Sequence, residues 1–292
     1  MHDGALFRRI CILGVAAWLL VFALAPNAGL LVVSFLTRHP EDFVAPGLTL
    51  EAYGRLMDPT FAAIFWESVR LAALATLVCL LAGYPFAYGI ARASRRWRPW
   101  LLLLVVVPFW TNSLIRTYAV ILILKSRGVL SNLLEALGLT SGPVSLLYTD
   151  TAMFIGFTYT LLPFMVLPLF AAIEKLDRNL LDAARDLGAG SLRAFWNVTL
   201  PLTMPGILAG SMLVFLPALG MFYIPELLGG GKSMLLGNFI KNQMLLARDW
   251  PLGAAASTVL TVALAVMIVL WRLATLRARQ DEDDDILTEG AP

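Results

Sequence analysis

Six windows of about 20 or more predominantly apolar residues run through this 292-residue chain, at 10–36, 67–91, 100–124, 151–173, 206–228 and 252–275. Each is long enough to cross a hydrocarbon core roughly 30 Å thick as a helix. Charge, proline and glycine gather in the breaks, at 38–58, 93–99, 125–150, 174–205 and 229–251. Charged residues make up 14% of the chain and mean hydropathy is +0.77, whereas soluble domains carry about 25% charged residues. The pattern predicts an all-α integral membrane protein with six transmembrane helices.

The N-terminus imitates a cleavable signal: Arg8-Arg9, an apolar run, then Ala23-Leu24-Ala25. Pro26 follows directly and the apolar run resumes to Leu36, so an uncleaved first span is expected. Arginine and lysine near span ends favour the cytoplasmic side. With the N-terminus inside, Arg8, Arg9, Arg92, Arg95, Arg96, Arg98, Lys175, Arg178, Arg185, Arg193, Arg272, Arg277 and Arg279 are cytoplasmic. These are thirteen of the 22 basic residues. The loop ARASRRWRPW alone carries four arginines and no acid. Both termini are therefore expected inside, with the acidic stretch 281–285 as a solvated, disordered end, since acids weigh little in this rule. Cys11 and Cys79 lie in apolar runs and read as small apolar thiols.

This topology puts DAARDLGAGSLRAFWNVTLP, residues 182–201, in the cytoplasm. Ile173, Leu176, Leu180, Ala183 or Ala184, and Leu187 recur at helical spacing. Gly188 suits a helix C-cap, Gly190 a reversal, and Ser191 the N-cap of a second short helix. Pro201 and Pro205 are expected to stop that helix and start the fifth span. The segment thus reads as two short helices about a glycine hinge, presenting Leu187, Ala189, Leu192, Phe195 and Trp196 beside charges. An amphipathic helix on lipid is the competing reading. The acids of the first helix oppose it, because the cytoplasmic leaflet is anionic; docking onto a cytoplasmic protein fits better.

The register of this segment is Asp182-Ala183-Ala184, three residues, Gly188, nine residues, Val198, Thr199, Leu200-Pro201. It resembles the cytoplasmic signature of permeases of ATP-binding cassette importers, with Asp for Glu and Val for Ile. VPFWTNSLIRTYA (107–119), EKLDRNLLDAARDLGA (174–189), LPLTMPGI (200–207) and RDWPLGAA (248–255) are similar, within that class, to the spermidine/putrescine permeases. The resemblance implies a type I permease core at 64–273, preceded by a span and outer loop at 1–63 and followed by an acidic tail at 274–292. It implies a homologous second permease, two copies of a cytoplasmic ATPase, a periplasmic polyamine-binding protein, and ATPase coupling through Asp182, Ala183, Ala184, Asp186, Gly188, Ala189, Leu200 and Pro201. It also implies a multi-pass protein of the bacterial inner membrane, surrounded by lipid. No catalytic constellation, cofactor, metal or nucleic-acid partner is expected.

GGGKS (229–233) fails the phosphate-loop spacing, because Glu226 stands where the first glycine belongs. His2 and His39 are too far apart for a helical zinc motif, and NVT (197–199) lies in the cytoplasmic segment. Ionisable groups in spans usually face protein or water, which singles out Arg116 and Glu226. Glu226 offers a counter-charge to ammonium groups. Trp110, Phe109, Tyr223, Phe222 and Tyr159 offer aromatic faces, and Asn112 a further polar contact. Interfacial anchoring or plain packing is the competing reading of these aromatics. Arg116 would repel a polyamine, so an interhelical ion pair or a contact with the binding protein is expected of it. Pro108, Pro163, Pro168, Pro217 and Pro225 are expected to kink their spans. A permease for another solute (putrescine alone, sulfate, an iron chelate, thiamine), or a channel or gradient-driven transporter, remains the alternative function.

Overall fold

A computed structural model describes residues 3–39, 42–231 and 234–289. In chain order the elements are α1 (Asp3–Leu19), a π turn (Leu20–Leu24), α2 (Ala25–Val33), β1 (Leu36–His39), β2 (Phe43–Leu48) and α3 (Glu51–Leu56). Then come α4 (Pro59–Arg92), α5 (Arg98–Val106), a 3-10 turn (Val107–Trp110), α6 (Ser113–Leu124), α7 (Val129–Ala136) and α8 (Asp150–Glu174). The chain continues through α9 (Arg178–Asp186), α10 (Ser191–Ala194), a second π turn (Phe195–Thr199), α11 (Leu200–Gly220), α12 (Tyr223–Leu228), α13 (Leu236–Leu245) and α14 (Trp250–Glu289).

Among the described residues, five stretches are long and apolar enough to span: Cys11–Val33, Pro59–Arg92, Asp150–Glu174, Ser191–Gly220 and Trp250–Leu273. A sixth is a broken pair, Arg98–Trp110 and Ser113–Ala136, bent by 98°. The span expected at 100–124, with a kink at Pro108, is broken into two helices. Pro108 tightens the helix into a 3-10 turn, Thr111 is extended, and the Asn112 side chain accepts from the N–H of Leu114 at 2.8 Å, starting a new helix. The fifth span is also shifted from 206–228. Its helix begins at Ser191 and ends at Gly220, and Tyr223–Leu228 forms a separate short helix. The second span starts at Pro59 rather than 67.

Pro201 and Pro205 do not stop a helix, contrary to expectation. The five-residue π turn precedes Pro201, and the N–H of Leu200 bonds to the carbonyl of Phe195, one residue beyond the α spacing. Widening the turn relieves the clash between the proline ring and the carbonyl four residues back. The same device recurs at Leu20–Leu24 before Pro26. The backbone of α14 also continues through the acidic stretch to Glu289, where a disordered end was expected. A short antiparallel hairpin, absent from the all-α expectation, pairs Thr37 with Ala45 and His39 with Phe43.

Two compact units make up the chain, one of Met1–Ala62 with Phe239–Pro292, the other of Ala63–Asn238. In the first, α2 and α3 pack on α14, and fully buried Ser34 shares a 2.8 Å hydrogen bond with the Tyr53 hydroxyl. Asp249, 1% exposed, organises this unit. Its carboxylate accepts from Arg55 at 2.6 Å, lies 3.8 Å from Arg38, and N-caps α14 through the N–H of Leu252 at 3.2 Å. Asp58 lies at the start of α4, where the Thr60 hydroxyl and N–H hold its carboxyl below the usual range. Both arginines are half-exposed, which screens the pairs; the cap carries much of the worth. Asp249→Ala is expected to destabilise the protein by about 2 kcal/mol and Asp249→Asn by about half that. Thermal unfolding in detergent measures both, and equal losses would refute the role of the cap.

In the second unit α8 is the axis. Gly206 and Gly210 of α11, four residues apart, let that helix approach α8 closely: a Cβ at Gly206 would lie 2.5 Å from Ala172 Cβ and 2.9 Å from the Pro168 carbonyl. Gly83 of α4 lies against the other side of Met165. A seam of small residues replaces hydrophobic collapse as the packing device, as it must where the surrounding solvent is itself apolar.

Candidate functional site

The segment between α8 and α11 folds as two helical pieces about Gly188. Asp177 ends the run that the spacing predicts from Ile173: its side chain accepts from the N–H of Asn179 at 3.0 Å and starts α9. Leu181, 5% exposed, faces inward, while Leu180 is exposed; the break at Asp177 changes which leucines are buried. At the far end Gly188 adopts φ +81°. The N–H of Ala189 bonds to the Ala184 carbonyl at 2.9 Å and that of Gly188 to Arg185 at 2.8 Å. This is a Schellman cap, which needs the left-handed residue that glycine supplies. Gly190, not Ser191, occupies the N-cap of α10.

The turn exposes Asp182, Ala183, Asp186 and Gly188, with Ala184, Ala189 and Leu200 half-buried and Pro201 exposed. Leu187 (89%), Leu192 (72%) and Trp196 (58%) stand out as apolar groups in a polar segment. Gly188, Gly190, Leu192, Arg193 and Trp196 line an open recess of about 710 Å³. Asp182 pairs with Arg185 at 3.0 Å on the exposed face.

Its root is held by groups that sequence reasoning missed. Arg98 donates to Glu174 at 2.6 Å and to the Ala91 carbonyl at 2.8 Å, joining the ends of α4 and α8 to the start of α5. The Tyr84 hydroxyl shares a 2.9 Å hydrogen bond with fully buried Thr203, and its ring meets Phe195 edge-on at 5.5 Å. Partners 76 and 119 residues apart leave no trace in local spacing.

The second cluster lies at the break in the third span. Phe109, in the 3-10 turn, meets Phe164 of α8 edge-on at 4.9 Å. The Arg116 guanidinium lies over Phe109 at 5.7 Å and over Tyr159 at 5.8 Å. Arg116 is 7% exposed and belongs to none of the ion pairs found among the described residues. The expected interhelical ion pair is therefore replaced by aromatic contacts. Trp110 is 76% exposed beside this cluster in sequence, and Asn112 serves as the helix cap. Phe222 and Tyr223 stack edge-on at 6.1 Å at the start of α12, which also carries exposed Glu226 and packs on α6 and α8. Asn238 donates to the Phe222 carbonyl at 3.0 Å. So Phe109 and Tyr159 are brought together through Arg116, and Phe222, Tyr223 and Glu226 form a neighbouring group.

Gly230 and Gly231 have φ of +68° and +69°, and the α-carbon of Gly230 lies against the Tyr148 ring; Lys232 and Ser233 of the same motif, like His2, lie outside the described residues.

Membrane-length helices joined by a polar two-helix turn are what a transport permease requires. Residues 79–279 match the family described as binding-protein-dependent transport system inner membrane component, and the chain belongs to it. It is 49% identical over 265 residues to the spermidine/putrescine transport system permease protein PotB of Haemophilus influenzae, covering 91% of this chain and 93% of that one. It is 47% identical to PotB of Escherichia coli over 272 residues, 93% and 99% of the two chains. The inner membrane ABC transporter permease protein YdcU of Escherichia coli is 31% identical over 91% of this chain and 89% of its own. Among solved structures, a bacterial ABC transporter for import of the acidic polysaccharide alginate shares the fold. Its TM-score is 0.75 at 20% identity, with 94% of this chain and 96% of that one covered. The chain is a multi-pass inner-membrane permease subunit and its role is non-catalytic.

Proposed function

We propose that this chain is a permease subunit that moves spermidine and putrescine across the inner membrane in an ATP-driven importer. Identity of 45–49% over more than nine-tenths of the chain to spermidine/putrescine permeases carries the reading. Both termini lie in the cytoplasm and residues 64–273 form the core. A second, homologous permease and lipid cover the first span, none of whose apolar window is buried within the chain. Two copies of a cytoplasmic ATPase supply the energy and a periplasmic binding protein delivers the polyamine.

The capped turn at Gly188, with Asp182, Ala183, Ala184, Asp186, Ala189, Leu200 and Pro201, is the surface on which the ATPase pushes. Three features favour docking there. The turn is closed by two backbone hydrogen bonds, its apolar groups are exposed, and the helix that follows it runs from Ser191 to Gly220, so a push on the turn is delivered along α11. The exposed aromatics Trp110, Phe109, Tyr159 and Phe222 and the half-buried Tyr223, with Glu226 as counter-charge and Asn112 shaping the break, line the substrate path.

Reconstitution with the ATPase, the second permease and the binding protein tests this. ATP-dependent uptake of labelled spermidine is expected, blocked by excess putrescine. Glu226→Gln is expected to lower the uptake kcat/KM by about tenfold, equivalent to ~1.4 kcal/mol. Uptake of an anion alone, indifferent to excess spermidine, would reject the substrate assignment; parental kinetics in Glu226→Gln would remove that residue from the path.

A further inference from the structure

We infer that Arg116 is the specificity-determining residue of the path: a fixed cation that keeps singly charged ions off the aromatic cluster. The inference rests on the reading of Phe109 and Tyr159 as path residues. Three observations set Arg116 apart. It is 7% exposed, yet none of the ion pairs among the described residues includes it. Its Nε and one terminal nitrogen are buried without an acceptor, an arrangement that packing alone disfavours. It also stands in the first turn of α6, where the helix dipole opposes a positive charge. No carboxylate among the described residues pairs with it, so its charge acts on whatever reaches the rings beside it.

The placement gives that field a target. The guanidinium bridges Phe109, just before the break in the third span, and Tyr159 of α8, which is 43% exposed. The rings are faces on which any cation gains. An inorganic ion or a small monoamine reaching them meets the fixed charge at the same moment and gains nothing net. A polyamine brings several ammonium groups, spaced along a chain. Those that bind beyond the cluster offset the repulsion felt by the one near the rings. A permeation path lined with aromatics and acids would otherwise leak inorganic cations down the membrane potential; a buried arginine is the type of group that bars them electrostatically.

The test uses the complete transporter in proteoliposomes and follows labelled rubidium flux without any polyamine. Arg116→Gln is expected to raise rubidium flux roughly tenfold, and Arg116→Lys to stay near the parental rate, because charge sets the barrier. In spermidine uptake, tetramethylammonium should inhibit Arg116→Gln at roughly a tenth of the concentration needed for the parent. Parental rubidium flux and parental tetramethylammonium resistance in Arg116→Gln would overturn the inference, as would a leak in Arg116→Lys equal to that of Arg116→Gln. If Arg116→Gln fails to assemble, the double variant Phe109→Leu/Tyr159→Leu decides: with the charge kept and the rings removed, flux must remain low, and a rise sinks the filter. The rubidium arm needs no polyamine, so a transporter that carries another solute fails the functional reading without touching this result. Normal spermidine uptake with unchanged flux rejects the filter alone.

Discussion

Gly188→Val is expected to leave the protein inserted and assembled with its partners while ATP-driven uptake falls at least tenfold. The reason is conformational, not steric. A Cβ built on Gly188 meets nothing within 4 Å, yet its φ is +81°. Placing an L-residue in the left-handed region costs about 1–2 kcal/mol, and a β-branched one stands at the upper end. At ~2 kcal/mol the ratio of native to non-native turn falls roughly 30-fold. The two Schellman hydrogen bonds go with it, so the surface offered to the ATPase becomes an ensemble. Gly188→Asn, which tolerates the same region, should retain most of the activity. ATP hydrolysis and uptake measured side by side in proteoliposomes separate the steps: hydrolysis should persist while uptake drops. A Val variant transporting at the parental rate would show that the turn is not the coupling surface.

The second large effect lies in the seam between α8 and α11. Gly206→Leu is expected to destabilise the protein by about 3 kcal/mol or more, beyond the usual range for overpacking because part of the obstruction is backbone. The Pro168 carbonyl, 2.9 Å from the added Cβ, belongs to a helix that also carries Tyr159 and Phe164. Pushing α11 outward therefore moves the end of the coupling segment away from the aromatic cluster. Gly206→Ala should cost about 1–2 kcal/mol. Thermal unfolding of the purified subunit in detergent gives the ranking Leu, Ala, Gly from least to most stable. Equal midpoints for Leu and Gly would refute the close approach of α8 and α11 at this position.

Features governed by local chemistry were readable in the sequence. Apolar windows announced the spans because burial in lipid demands continuous apolar length. Gly188 announced a C-cap because only a residue without a Cβ adopts that conformation at little cost. What depended on partners distant in the chain was not readable. Pro108 signalled a kink, but the 98° bend needs Asn112 to start a new helix in the middle of an apolar run. Arg116 looked like half of an ion pair, since a buried charge usually has a partner; its aromatic neighbours come from a turn seven residues earlier and from another helix. Tyr84 and Thr203, or Arg98 and Glu174, carry no mark in sequence of their meeting. Pro201 misled because a proline is read against an α-helix, whereas the chain passes it with a wider turn.

That wider turn sets an angle as well as absorbing a ring. An α-helix advances about 100° per residue, and a π turn holds one residue more than the α-helical turn it replaces. Phe195–Thr199 therefore determines the azimuth at which Leu187 and Leu192 leave the axis of the fifth span. Deleting one residue there would restore an unbroken α-helix, apart from the strain at Pro201, and would swing the cytoplasmic lever about a quarter of a turn around that axis. The phase between the lever and its span is thus written in a single surplus residue.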